Sequence, residues 1–173
     1  MLKKILINSI LVFLFSFLFH SFYNYLPIFP ITIIAPVNES IFEHMKLIFT
    51  SYMFLTLIIY LFYKNKPNNY IASNTIGAIF NIVIFLIIYL PIYKLFGENL
   101  IVTLIIYFIT IIITSFVKEQ IEKIKNNKKL NLISGISIII IYLIFTILTY
   151  FPLKIDILFK DPTNNSYGIY KVK

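Results

Sequence analysis

The chain has 173 residues, of which 60% are hydrophobic, 18% aromatic and only 13% charged. About a quarter of the residues in a soluble domain are charged, so this composition excludes a large water-soluble catalytic module and predicts an integral membrane protein. Cysteine is absent, which excludes disulfides, thiolate metal sites and a cysteine nucleophile. The net charge of +8 comes from lysines in short segments between apolar runs, so we expect no nucleic-acid binding.

Five apolar runs are long enough to cross a membrane, which takes about 20 residues each. They predict an all-α fold, a polytopic membrane helix bundle that forms one integral membrane domain over residues 1–173. The predicted spans are 4–26, 39–63, 70–92, 99–117 and 131–151, and a tail follows at 152–173.

The first span begins like a signal peptide, with two lysines before an apolar run. No small-residue cleavage site follows, so we interpret this segment as a retained span. The connection 26–37 is apolar but contains three prolines, which makes it too short and too broken to cross. It is predicted to lie in the interface or to enter the membrane and return. The segment 118–131 is predicted as a charged loop.

Lysines near the ends of the spans orient the molecule, because cytoplasmic loops carry an excess of positive charge. The side of the N-terminus receives nine lysines and the opposite side five, two of which are Lys171 and Lys173. We therefore expect a multi-pass protein of the cytoplasmic (plasma) membrane with a cytoplasmic N-terminus and an extracytoplasmic tail. Membrane lipids are its expected surroundings, and association with a second copy or with another membrane protein is left open.

The densest group of polar residues lies at 38–46, where the second span begins. Ionisable residues at membrane depth are expensive and each requires a partner. Ser40 and Glu43 have the spacing of a capping box, a structural device for helix N-termini. Capping does not account for Glu39, His44 and Lys46 together.

Two other segments are predicted at the same membrane face. His20 lies near the outer end of the first span, and the tail contains the turn sequence 161–168. A lone histidine in a membrane helix more often bonds a neighbouring helix than binds a ligand, and the tail alone reads as an exposed turn. Their convergence with the second span predicts one polar site. Its candidate residues are His20, Asn38, Glu39, Ser40, Glu43, His44, Lys46, Asp161 and Tyr167.

Three chemistries fit such a site. A divalent metal such as zinc could be held by His20, His44 and a carboxylate, which would suit a metal-dependent membrane enzyme acting on a lipid or peptide. The carboxylates available for this are Glu39, Glu43 and Asp161. A proton relay would suit a small proton-coupled transporter. The third reading, which we favour, is an internal polar lock in which Lys46 pairs with Glu43 or Glu39 and the tail folds over the pair. It gives the site a structural or ligand-binding role and leaves the biochemical activity unknown.

The third and fourth spans carry seams of small and polar residues, which membrane helices ordinarily use to pack closely and to hydrogen-bond. No charge is expected midway along either helix, which disfavours a wet pore. The seams consist of Asn74, Gly77, Ala78 and Asn81 on the third span and of Thr103, Tyr107, Thr110 and Thr114 on the fourth.

The motif Asn-Glu-Ser-x-x-Glu-His-x-Lys at 38–46, with His20 before it and Asp-Pro-x4-Tyr-Gly at 161–168, resembles a family of small bacterial multispan membrane proteins. This family is domain of unknown function 6512, and the resemblance covers the whole chain. It implies a five-span membrane fold in which these positions belong together. It implies no activity and no role for any residue.

Overall fold

The structure, a computed structural model, describes residues 2–169. It confirms an all-α bundle with five helices that are long and apolar enough to cross a membrane. Lys171 and Lys173, counted in the charge asymmetry, lie outside the described residues. The helices are α1 Leu2–His20, α2 Phe22–Tyr25, α3 Phe29–Ile34, α4 Ile41–Phe62, α5 Tyr70–Phe96, α6 Leu100–Lys123, α7 Lys128–Tyr150 and α8 Asp156–Phe159.

The most buried of the five long helices is α4, which packs against both α1 and α5. Its residues Phe49 and Tyr52 are fully buried, whereas α7 on the periphery buries far fewer of its side chains. Large apolar side chains remain exposed around the outside of the bundle. Such a surface is suited to hydrocarbon, where exposed apolar groups carry no penalty.

Two of the helices end later in the sequence than the apolar pattern indicates. The α5 helix continues past Pro91 to Phe96 and ends at Gly97, whose φ of 73° is readily adopted only by glycine. The α6 helix continues to Lys123 and α7 begins at Lys128, so the expected charged loop 118–131 is wrong except at residues 124–127. The additional turns of α6 are held by ion pairs to α1, which are described below.

The connection 26–37 does not cross the membrane. Part of it forms α3, which begins with a proline in its first turn and packs against α7. Residues 26–30 are exposed, whereas Thr32 and Ala35 are buried. Protein therefore covers only the second half of this broken segment.

The bundle has two ends with different loops. We call the end that carries residues 26–40, 97–99 and 151–169 the tail end. The end that carries residues 2–4, 63–69 and 124–127 is called the N-terminal end. Both ends contain a cluster of charged side chains.

Candidate metal site at the tail end

Three ionisable side chains from distant parts of the sequence meet at the tail end. The Nε2 atoms of His20 and His44 lie 3.3 Å apart. Glu39 Oε2 lies 3.4 Å from His20 Nε2 and 3.6 Å from His44 Nε2. All three side chains are partly exposed, between 28% and 37%. The structure therefore brings two imidazoles and one carboxylate to a single point.

The local sequence explains why these atoms converge. His20 is the last residue of α1, while Glu39 and His44 flank the start of α4. Ser40 fixes that start, because its hydroxyl accepts a hydrogen bond from the backbone N–H of Glu43 at 3.4 Å. The contact between α1 and α4 then sets the histidines face to face.

The hydrogen bond of His44 Nδ1 leaves the other ring nitrogen, Nε2, directed at His20 and Glu39. Its Nδ1 lies 3.0 Å from the Ser40 carbonyl oxygen, which can only accept, so Nδ1 carries the proton. In a neutral imidazole the lone pair is then on Nε2 and faces the Glu39 carboxylate. Two acceptors at this separation repel unless a cation, either a proton or a metal ion, lies between them.

The electrostatics of Glu39 favour its ionised form. A hydrogen bond from His20 lowers the pKa of the Glu39 carboxyl below its usual value, and the charge of His44 adds to this effect, against the opposing effect of partial burial. Glu39 is therefore a carboxylate at neutral pH. It is available to bind a cation.

Two cavities adjoin the group. One, of about 120 Å³, is lined by Glu39 and both histidines together with Glu98 and Lys160. The other, of about 140 Å³, shares the two histidines but is otherwise largely apolar and reaches the interior of the bundle. Its mainly apolar lining includes Phe17, Leu47, Ile48, Phe85, Leu100 and Leu104.

Lys46 and Glu43 point away from this group and form a separate buried lock. The Lys46 ammonium donates to Glu43 Oε2 at 2.6 Å, to the Thr32 carbonyl at 2.8 Å and to Thr149 Oγ1 at 3.1 Å. Thr149 in turn donates to Glu43 Oε1 at 2.7 Å. These hydrogen bonds join α3, α4 and α7. All three ammonium protons of Lys46 already have acceptors, so none is left to bind a ligand.

Asp161 organises the tail and takes no part in the histidine group. Its carboxylate accepts from the backbone N–H and hydroxyl of Thr163 at 2.8 and 2.6 Å and from Asn164 Nδ2 at 3.2 Å. It also accepts from the backbone N–H of Glu39 at 3.4 Å. Asp161 therefore places the tail beside the metal candidates, and its role is that of an anchor.

Asn38 and Tyr167 complete this docking. Asn38 Nδ2 donates to the Gly168 carbonyl at 2.9 Å, and its Oδ1 accepts from the backbone N–H of Ser40. Tyr167 donates its hydroxyl proton to Asp156, a contact that raises the pKa of the tyrosine. The Asn38 contact therefore joins the tail to the segment before α4, whereas the Tyr167 contact joins two parts of the tail itself. Neither residue belongs to the histidine group.

Sequence reasoning missed a second charged cluster, at the N-terminal end. Lys4 forms ion pairs with Glu119 at 2.8 Å and with Glu122 at 2.6 Å. Ser73 also donates to Glu122 at 3.0 Å, and Lys118 is buried beside them. Lys118, Glu119 and Glu122 would share one helix face if the predicted fourth span were extended by about two turns. That spacing is the signal that could have indicated the cluster.

Comparison with known proteins assigns the chain to a family. The model of a family of unknown function, DUF6512, matches residues 1–169. The chain belongs to this family. No functionally curated protein and no solved structure is significantly similar to it.

Proposed function

We propose that this five-span membrane protein of the DUF6512 family binds a divalent metal ion through His20, Glu39 and His44. The observation that carries the proposal is the meeting of one ligand atom from each side chain within 4.8 Å. Two imidazoles and one carboxylate form a ligand set that zinc uses in catalytic sites, where a fourth position remains for water or substrate.

The separations between the ligand atoms support zinc in particular. Zinc bonds of about 2.0–2.2 Å at tetrahedral angles place the ligand atoms about 3.3–3.6 Å from one another. The three separations described here are 3.3, 3.4 and 3.6 Å. A single ion can therefore contact all three atoms without rearrangement of the backbone.

The outer contacts of the ligands support the same proposal. A metal-binding histidine generally donates its second N–H to a carbonyl or carboxylate, which fixes the ring and its tautomer. His44 makes this contact to Ser40. The cavity of about 120 Å³ on the open side provides space for water or substrate at the fourth position.

The test is the metal content of purified protein, measured by mass spectrometry after dialysis against buffered zinc. We expect one zinc per chain in the wild type and loss of that zinc in His20→Ala, His44→Ala and Glu39→Gln. Glu98→Gln is the matched control, because Glu98 lines the same cavity but lies outside the histidine group. A wild-type protein that takes up no stoichiometric zinc, copper, cobalt or manganese would overturn the proposal.

A second candidate function builds on this site, namely hydrolysis of a lipid. The observation that favours it is the largely apolar cavity that shares His20 and His44. Phe17 and Leu100 line it and are also exposed on the surface of the bundle, so an acyl chain could enter from the bilayer. A metal ion held by His20, Glu39 and His44 would polarise the ester carbonyl and activate a water.

In this reaction water adds to the ester carbonyl carbon, the bond from carbon to the alkoxy oxygen breaks, and the alcohol leaves with a proton. The measurement is release of fatty acid from mixed phospholipid vesicles, followed by mass spectrometry. Zinc-loaded wild type should release fatty acid, and Glu98→Gln should retain the activity while His44→Ala loses it. A zinc-loaded protein that leaves every lipid intact would remove this candidate and leave the metal site standing.

We also propose the orientation that the lysine asymmetry favours, with a cytoplasmic N-terminus. The metal site would then lie at the extracytoplasmic face of the cytoplasmic membrane.

A further inference from the structure

Lys118 is buried in the interior of the bundle, where α6 passes α5. It is 1% exposed, and its ammonium makes no hydrogen bond to the described residues. It lies 5.4 Å from the centre of the Tyr52 ring. Burying an ammonium without hydrogen bonds is among the most costly arrangements in a protein, so the surroundings of Lys118 must offer it further partners.

The α5 helix provides the space for this lysine. A Cβ atom built on Gly77 would come within 2.8 Å of Lys118 Cγ and 3.0 Å of its Cδ. Any residue larger than glycine would therefore displace the lysine stem. The close packing of α5 against α6 at Gly77 therefore fixes the position of the Lys118 side chain.

Several acceptor atoms in the same helices also lack hydrogen-bond partners among the described residues. Asn81 uses its Nδ2 to donate to the Tyr52 hydroxyl at 3.1 Å, which leaves its Oδ1 free. Unpaired acceptors in the same interior as an unpaired donor, with no direct bonds among them, are typically completed by bridging water. The unpaired atoms are Asn74 Oδ1, Asn81 Oδ1, Tyr107 Oη and Thr114 Oγ1.

These polar groups extend to both ends of the bundle. Toward the N-terminal end, Lys118 interacts electrostatically with Glu119 and Glu122, which bind Lys4. Toward the tail end, Tyr107 lines the cavity of about 140 Å³ that opens beside the histidines. A column of polar groups therefore runs the length of the bundle.

We propose that this column conducts protons between the two ends of the bundle, with Lys118, which lies in the part of the column near the N-terminal end, as the buried group that takes up and releases each proton. In one transfer, the Lys118 ammonium gives a proton to water on one side, which leaves as a hydronium ion, and a hydronium ion on the other side then returns a proton to the amine. Only O–H and N–H bonds form and break, and no oxidant or reductant is needed. Metal ions do not follow, because the Lys118 charge repels them.

The hydroxyls of Tyr52 and Tyr107 are the other titratable groups inside the column, and Lys4, Glu119 and Glu122 close it at the N-terminal end. The proposal does not depend on a metal ion at His20 and His44. A chelator in all solutions keeps the two proposals separable.

The experiment measures proton flux into liposomes that contain the purified protein and the pH dye pyranine. A potassium gradient with valinomycin supplies the driving voltage. We expect wild-type vesicles to change pH faster than empty vesicles, and Lys118→Met vesicles to match empty ones. Lys64→Gln is the matched control, because Lys64 is an exposed lysine at the N-terminal end, and it should retain the wild-type flux.

A second variant guards against a folding defect in Lys118→Met. Tyr107→Phe retains the ring and removes only a hydroxyl, whose neighbours are Ser16 and Ser51, so we expect it to fold normally and to slow the flux. Wild-type flux no faster than that of empty vesicles would overturn the proposal. So would full flux in Lys118→Met, or full flux in Tyr107→Phe if Lys118→Met fails to fold.

Discussion

Lys46 and Glu43 form an ion pair whose side chains are 0% and 1% exposed. Removal of one partner of such a pair leaves an uncompensated buried charge, which typically costs about 3–5 kcal/mol. We therefore expect Lys46→Met to lower the free energy of unfolding by about this amount. Thermal unfolding in detergent measures the loss.

The double variant Glu43→Gln with Lys46→Met separates this charge effect from a loss of packing. Because it removes both charges together, it should be more stable than Lys46→Met alone. Lys64→Gln, at an exposed lysine, should unfold like the wild type. Equal instability of the single and double variants would contradict the role of the lock.

Zinc binding at the histidine group should weaken as pH falls, since its ligands bind metal only when deprotonated. The pKa of Glu39 is lowered, so this carboxylate stays ionised well below neutral pH. The loss of zinc should therefore follow protonation of the imidazoles and should begin well above the pH at which the carboxylate is protonated. Zinc content measured across a pH series checks this, and loss confined to pH values of about 4 would point to the carboxylate instead.

Part of the candidate site is visible in the sequence because it is local. Glu39, Ser40, Glu43, His44 and Lys46 stand together at one helix start, where polar residues in a membrane segment require explanation. The sequence does not show which of these side chains contact one another. Glu43 contacts Lys46 and Thr149, whereas Glu39, four residues earlier, contacts the histidines. Which partners each glutamate meets depends on tertiary contacts.

The tail attaches to the bundle through a glycine that has little freedom to change. Gly168 has a φ of 66°, and a Cβ atom there would lie 2.7 Å from the backbone oxygen of Thr149. Alanine is strained in this backbone region and should cost more than about 1 kcal/mol. We expect Gly168→Ala to detach the tail and to expose residues 152–169 to limited proteolysis.

Gly135→Ala provides the matched control for this variant. Gly135 lies inside α7, and a Cβ atom there would meet nothing within 4 Å. Alanine in a helix interior is more stable than glycine by about 0.5–1 kcal/mol, so the control should be as protease-resistant as the wild type. Equal resistance of the Gly168 and Gly135 variants would show that the tail does not depend on this contact.

The existence of the five long helices follows from composition, because about 20 apolar residues in sequence have no other stable state in a bilayer. Where each helix ends does not follow from it. The apolar run of the fourth span stops at residue 117, yet α6 continues to Lys123. Ion pairs from Lys4 stabilise the extra turns, and a partner on another helix leaves no trace in the local pattern.

At the scale of the whole molecule, the two charged clusters lie at opposite ends of a bundle whose five long helices are apolar enough to cross a membrane. The N-terminal end contains Lys4, Glu119 and Glu122, and the tail end contains the histidine group. A buried column that includes Lys118 lies between them. The bundle is therefore polar along its axis and apolar at its circumference, an arrangement that a purely structural membrane protein does not require.

The orientation of this axis would decide which compartment supplies the proposed metal ion, and cysteine labelling can establish that orientation. The chain contains no cysteine, so any label belongs to a residue that is introduced. Pro162 lies in the tail and Asn126 in the connection between α6 and α7, and both are exposed. The lysine excess at the N-terminal end predicts that this end faces the cytoplasm.

We therefore expect a membrane-impermeant maleimide to label Pro162→Cys in intact cells. Asn126→Cys should react only after the membrane is permeabilised, and the cysteine-free parent should not react at all. The opposite pattern would place the histidine group on the cytoplasmic side. Its ligands would then compete with the buffered metal pool of the cell and would not meet metal ions from outside.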